Sequence, residues 1–158
     1  MSAYDLIERL ESRRALDKAE YLALIDALDD QSELYLFHRA KTAAEAVYGK
    51  KIYIRGLIEI SNYCKNNCYY CGIRRGNRNV ERYRLSEDEI LNCCKQGYAL
   101  GFRTFVLQGG EDGFFTDEAM CGIIRRIKAA YPDCAVTLSL GERSHESYKA
   151  LRSAGADR

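Results

Sequence analysis

Beyond Lys51 the sequence alternates three times between a short run of apolar and β-branched residues and a longer amphipathic one. No other feature restricts the fold as much. The short runs cover residues 52–60, 104–107 and 135–140. Their lengths and their Val, Ile, Thr, Phe and Tyr content predict buried strands. The longer runs predict helices. Ser86-Glu87-Asp88-Glu89 forms a capping box ahead of Ile90, Leu91, Cys94 and Tyr98. The second, about 117–130, carries Ile123, Ile124 and Ile127 as its apolar stripe, with Cys121 on or near it, and stops at Tyr131-Pro132. The third starts near Ser144 and ends at Ala154-Gly155. Such alternation predicts a parallel sheet with right-handed crossovers. In sheets of this kind function collects at the carboxyl ends of the strands.

Residues 1–50 form a separate helical extension in this reading, and residues 51–158 an α/β unit. In the extension Leu6, Ile7 and Leu10 keep helical spacing, as do Leu22, Ile25 and Leu28. Asp17 with Glu20 marks a second helix start. A third helix is expected over 32–48, with Leu34, Phe37, Ala40 and Ala44 inward, His38 and the tyrosines packed, and Gly49 as its stop. A full eightfold barrel takes about 250 residues. Three βα units therefore make a partial TIM-type barrel. Ala154-Gly155-Ala156-Asp157-Arg158 reads as the turn into a fourth strand, so the chain is expected to be cut short.

The chain's 158 residues suffice for an ordinary core. A net charge of +1 removes the strong field expected of a nucleic-acid or anionic-membrane binder. No apolar run reaches the roughly 18 residues of a membrane span. Met1-Ser2-Ala3-Tyr4-Asp5 lacks the basic and apolar regions of a secretory signal. A cytoplasmic chain is expected, and its seven cysteines then read as metal ligands or free thiols.

Three of those cysteines, Cys64, Cys68 and Cys71, sit in one loop directly after the first strand, at the spacing C-x3-C-x2-C. Soft thiolates select iron–sulfur clusters, zinc or copper(I). A closed zinc site takes four ligands, and a 4Fe-4S cluster takes one cysteine per iron. Three ligands from one loop leave one iron open to a substrate or cofactor. The alternative is a non-catalytic zinc module completed by Cys93, Cys94, Cys121 or Cys134. A redox pair of Cys68 and Cys71 fits less well, because a third cysteine stands beside it. Cys93 and Cys94 are adjacent on a helix, about 100° apart, and read as packing thiols. Arg74, Arg75, Arg78, Arg82 and Arg84 make the following segment basic; a solvated face explains it better than an anion site. Gly109-Gly110-Glu111 follows the second strand, a sequence a zinc knuckle does not need.

With these residues in view, the chain resembles the radical S-adenosylmethionine (SAM) superfamily, whose C-x3-C-x-aromatic-C signature it carries with Tyr70 as the aromatic. Within the biotin-synthase-like branch it is similar to the HydE family of FeFe-hydrogenase maturases. Tyr53-Ile54-Arg55-Gly56-Leu57-Ile58-Glu59, Cys71-Gly72-Ile73-Arg74-Arg75, Gln108-Gly109-Gly110-Glu111-Asp112 and Ser139-Leu140-Gly141-Glu142 carry that resemblance. It implies an enzyme whose 4Fe-4S cluster is held by Cys64, Cys68 and Cys71. The cluster would cleave SAM reductively to a 5′-deoxyadenosyl radical used in hydrogenase H-cluster assembly. Tyr70 would lie near the adenine. Gly109, Gly110 and Glu111 would meet the methionine part of SAM. Gln108, Thr137 and Ser139 would line the cavity, and Glu142 would contact SAM. Implied partners are a small-molecule or organometallic substrate and proteins of the maturation pathway. Methylornithine synthases share the cysteine loop and remain the competing family. Biotin synthases tend to continue the third cysteine with Pro-Gln-Ser where this chain has Gly72-Ile73-Arg74. The early stop implies that this chain alone binds a cluster poorly and turns over slowly or not at all.

Overall fold

A computed structural model describes all 158 residues, in two compact units, Met1–Ile52 and Tyr53–Arg158. The first unit contains α1 (Ala3–Arg13), α2 (Lys18–Ala27) and α3 (Asp30–Tyr48). Each helix opens on a capping box: Ser2 with Asp5, Asp17 with Glu20, and Asp29 with Ser32. These boxes satisfy amides at the helix starts that have no partner within the helix. Ala3, Leu6, Ile7, Leu16 and Leu24 form its small core, with Leu10, Leu28, Tyr35 and Leu36 at the margin.

The expected inward face of α3 is the wrong one. Leu34 and Phe37 are 68% and 58% exposed, and Ala40, Ala44 and His38 are exposed too. The helix instead turns Ser32, Tyr35 and Leu36 inward. Tyr35 stacks on Tyr4 at 5.2 Å, and the Arg39 Nε donates to Glu11 at 2.6 Å. Amphipathic side chains with polar ends occupy the seam, so a count of purely aliphatic residues picks the opposite face. Leu22 and Ile25 of α2 are likewise exposed, and only Leu24 of that helix is buried.

The second unit follows the predicted order: β1 (Gly56–Ser61), α4 (Glu87–Ala99), β2 (Thr104–Gly109), α5 (Asp117–Ala130), β3 (Ala135–Ser139) and α6 (His145–Ala154). The strands form one parallel sheet in the order β1-β2-β3. β1 starts four residues later than expected. Gly56 pairs with Phe105, one residue into β2, and ahead of it Ile52, Tyr53 and Ile54 are 89%, 70% and 67% exposed.

The pleat sorts the sheet into two faces. Ile58, Ile60, Phe105, Leu107 and Val136 are buried in one core with Ile90 and Cys94 of α4, Ile123, Ile124 and Ile127 of α5, and Leu151 of α6. Fully burying one such side chain contributes about 1.5–3 kcal/mol. Cys94 is buried and its neighbour Cys93 exposed, as their angular separation on the helix requires. On the opposite face the register aligns Leu57–Val106–Thr137 and, nearer the carboxyl ends, Glu59–Gln108–Ser139. Residues 156–158 run beside β3, where the Leu138 amide donates to the Arg158 carbonyl and the Asp157 amide to that of Val136.

Candidate metal centre and cofactor site

A register irregularity between Glu59 and Ser61 ends β1, and the chain then leaves the sheet in the long loop that holds Cys64, Cys68 and Cys71. Asn62, only 9% exposed, closes the neck of that loop. Its side-chain amide donates to the Glu81 carbonyl at 2.7 Å, and its carbonyl oxygen accepts from the Tyr83 amide at 2.8 Å. Residues 83–85 return antiparallel along β1, with the Leu85 amide donating to Ile60 and the Asn62 amide to Tyr83. Inside the loop a series of tight turns sets the spacing of the thiols. The Cys71 amide donates to Cys68, Arg74 to Cys71 and Asn77 to Arg74. Cross-links from Arg75 to the Asn66 carbonyl and from Gly76 to the Asn67 side chain hold the two limbs together.

The basic residues after Cys71 form internal struts that a charge pattern does not reveal. The Arg82 guanidinium donates to four carbonyls: Asn62, Ile73 at 2.9 Å, Arg74 at 2.8 Å and Asn77 at 3.1 Å. Arg84 makes a two-pronged pair with Asp112, 2.7 and 2.9 Å, and lies over the rings of Tyr63 and Phe114. The Ser61 hydroxyl donates to the same carboxylate at 2.7 Å. Burial pushes the Asp112 pKa up, but the Arg84 and Ser61 hydrogen bonds outweigh it and leave the carboxyl below its ordinary value. The one signal in the sequence is the period-two alternation of Arg82 and Arg84 with Tyr83 and Leu85, which predicts an extended segment.

Gly110 and Glu111 join the end of β2 to this loop. A Cβ on Gly110 would stand 2.2 Å from the Tyr63 carbonyl oxygen and 2.6 Å from the Cys64 Cβ. The glycine makes room for the cysteine loop itself. The Lys65 amide donates to the Glu111 carbonyl at 3.0 Å. The Glu111 carboxylate accepts from the Lys65 ammonium at 2.9 Å and the Asn66 amide at 2.7 Å. The Lys65 hydrogen bond leads the lowering of the Glu111 pKa, and Lys65 is raised in return. Gly141, with φ of 78°, lets the Glu111 side chain cross over it; a Cβ there would fall 1.9 Å from the Glu111 Cγ.

The sequence-predicted residues thus fall into two groups. Cys64, Cys68, Cys71, Gly109, Gly110, Glu111 and Glu142 gather at the carboxyl end of the sheet. Gln108, Thr137 and Ser139 share the sheet face opposite the helices. The Thr137 hydroxyl oxygen is buried there without a hydrogen-bond partner. Tyr70 and Tyr69 are 93% and 98% exposed, and Cys68 is exposed. A cavity of about 310 Å³ opens between Lys65, Glu111, Asp112, Thr116, Glu142 and Arg143. Another, of about 370 Å³, follows β3, α6 and residues 156–158 and is lined by none of the cysteines.

No three cysteine, histidine, aspartate or glutamate side chains converge as they would around a single ion. Cys94, Cys121 and Cys134 are buried in the apolar core. Burial pushes the Cys94 thiol up to about 12 and raises that of Cys134. Cys94 and Cys134 are therefore poor candidates for the fourth ligand of a closed zinc site, which needs thiolates.

Residues 58–158 match the family described as the Radical SAM superfamily. The FeFe-hydrogenase maturase subunit HydE of Thermotoga maritima is 37% identical over 158 residues, which is all of this chain and 44% of that protein. A 3-methylornithine synthase of Methanosarcina acetivorans is 33% identical over 93 residues, covering 58% of this chain and 26% of its own. The crystal structure of HydG, a maturase of the FeFe-hydrogenase, superposes with a TM-score of 0.83 at 25% identity, covering 98% of this chain and 35% of HydG. The chain therefore spans less than half the length of each of these relatives. Members of the matching family use a 4Fe-4S cluster and SAM. By its three-stranded parallel sheet, with three cysteines in the loop after the first strand, and by the match over residues 58–158, the chain belongs to the radical SAM superfamily.

Proposed function

We propose that the chain performs radical SAM chemistry of the HydE type, in the maturation of a hydrogenase metal centre. Cys64, Cys68 and Cys71 are the cluster ligands in this reading. The observation that carries it is the isolation of these three thiols in one braced loop, apart from the buried thiols of the core. The donor set fits the group: three soft ligands match three irons and leave the fourth for SAM. The unpartnered Thr137 hydroxyl on the open sheet face supports a polar occupant there.

When bound, the cluster and SAM supply reductive cleavage of a C–S bond and a 5′-deoxyadenosyl radical. The protein's own residues position the reactants. The cysteine loop presents the thiolates at the strand ends. Gly109 and Gly110 bring the β2 backbone close beneath the loop. Gln108, Thr137 and Ser139 offer hydrogen-bonding groups on the sheet face, Glu142 a carboxylate at the end of β3, and Tyr70 a ring for the adenine. Glu111 is committed to Lys65 and Asn66, so its side chain orients the loop, and an ammonium partner would have to compete with Lys65. The substrate is a small or organometallic molecule, other maturation proteins supply or receive it, and the setting is cytoplasmic. No helix of the chain is long and apolar enough to cross a membrane.

Anaerobic iron–sulfur reconstitution followed by electron paramagnetic resonance (EPR) tests the reading. The reduced chain is expected to show a 4Fe-4S signal that shifts when SAM is added. A signal indifferent to SAM, or a tightly bound zinc in place of the cluster, overturns it.

A further inference from the structure

We infer that Arg82 is a positioning residue for the iron–sulfur cluster: its guanidinium holds the cysteine loop in the shape that receives the metal. The inference rests on the reading of Cys64, Cys68 and Cys71 as cluster ligands. It assigns a function to a residue outside the cysteine motif and eleven positions beyond its last cysteine.

The geometry is specific. One terminal nitrogen of Arg82 donates to the carbonyls of Asn62 and Ile73, and the other to those of Arg74 and Asn77. Asn62 stands two residues before Cys64. Ile73 and Arg74 stand two and three residues after Cys71. A single planar cation thus grips the chain on both sides of the three thiols. Arg74 adds a fifth strap, from its own guanidinium to the Cys71 carbonyl at 3.0 Å. Hydrogen bonds from a charged donor are roughly twice as strong as those between neutral groups. A loop this polar has little apolar burial to hold it otherwise. Arginine suits the task because its donors are fixed in one plane, whereas lysine presents a single point charge. The guanidinium also leaves a permanent positive charge inside a loop designed to carry thiolates.

The other arginines of the segment supply a control. Arg75 and Arg78 are exposed and no side-chain bond or ion pair engages them, so Arg75→Gln removes the same charge without removing a strut.

The experiment compares the 158-residue chain with its Arg82→Gln, Arg82→Lys and Arg75→Gln variants in two steps. In the metal-free state, hydrogen exchange is read at the Cys71, Arg75 and Asn77 amides, all hydrogen-bonded within the loop, and at core amides such as Leu107. Arg82→Gln is expected to speed exchange in the loop about tenfold, the equivalent of one lost charge-assisted hydrogen bond, with the core unchanged. Arg82→Lys should fall between, and Arg75→Gln should match the wild type. After anaerobic reconstitution with iron and sulfide, Arg82→Gln should retain its cluster about tenfold less tightly and give a broadened or displaced EPR signal, while Arg75→Gln does neither. Wild-type exchange, iron retention and EPR in Arg82→Gln would overturn the inference and leave the cluster reading standing. A wild-type chain that binds zinc tightly in place of a 4Fe-4S cluster would bring down the reading itself, and the inference with it.

Discussion

The two sides of the sheet ends are held by different physics. On the helix side, Ile58, Ile60, Phe105, Leu107 and Val136 interlock with the apolar stripes of α4, α5 and α6. That core gains from area removed from water, and its contacts are numerous and individually small. The cysteine loop contains little that is fully buried. Arg82, Arg84, Asn62, Asp112 and Glu111 hold it through directional bonds to named atoms. A core of many small contacts degrades gradually when one is removed. A loop held by a few charged bonds fails at single points, and without much effect on the fold beneath it.

Substituting a loop thiol tests this contrast most sharply. Cys68→Ser is expected to abolish a stable 4Fe-4S cluster, measured as bound iron and EPR signal, while thermal unfolding of the metal-free chain stays unchanged, because Cys68 is exposed. The reverse is expected of Ile124→Ala in the fully buried stripe of α5: about 3 kcal/mol of stability lost in urea unfolding, with the loop's structure intact wherever the chain is folded. If Cys68→Ser destabilised the chain as much as Ile124→Ala, the two regions would not be separable. Gly110→Ala joins the two regimes. Its methyl group would meet the Tyr63 carbonyl and the Cys64 Cβ. It should cost about 2 kcal/mol and displace the cysteine loop from β2, seen as lost cluster uptake together with a lowered midpoint.

The mildest perturbation is acid. The folded-state pKa of Glu111 lies below the ordinary 4.5, and that of Asp112 below 3.8. Their contribution is present above those ordinary values and is lost as pH falls through the lowered ones. The Lys65 pKa is raised above 10.5, so Lys65 keeps its charge throughout that window. Acidifying the metal-free chain below pH 4.5 should therefore lower the protection of the loop amides, measured against their intrinsic exchange rates at each pH, before the core responds. Simultaneous opening of both would count against a separately held loop.

The order of elements was readable because period and capping agree. Ser86 with Glu89 caps α4 as its spacing requires, and Pro132 stands just past α5. The turn at Gly155 does lead the chain back beside β3. Two things were not readable. The inward face of α3 uses Tyr35 and Arg39, whose polar ends hide their packing role from an aliphatic count. The arginines after Cys71 suggested a wetted face, yet Arg82 and Arg84 are committed to carbonyls and to Asp112. Such pairings join residues up to 28 positions apart, and no local pattern announces them. Gly110 has a use within the fold that its motif does not announce: the cysteine loop itself fills the space that its missing side chain leaves.

The return limb at Tyr83–Leu85 gives the sheet a direction of growth. At the carboxyl end of β1, the Ile60 carbonyl and the Asn62 amide are already spent on Leu85 and Tyr83. An incoming strand finds no unpaired backbone there. At β3 the outer groups are open enough to take the peptide of residues 156–158. The segment that carries the thiols thus also acts as a stopper, covering the carboxyl end of one margin of the sheet while the other margin takes up further chain.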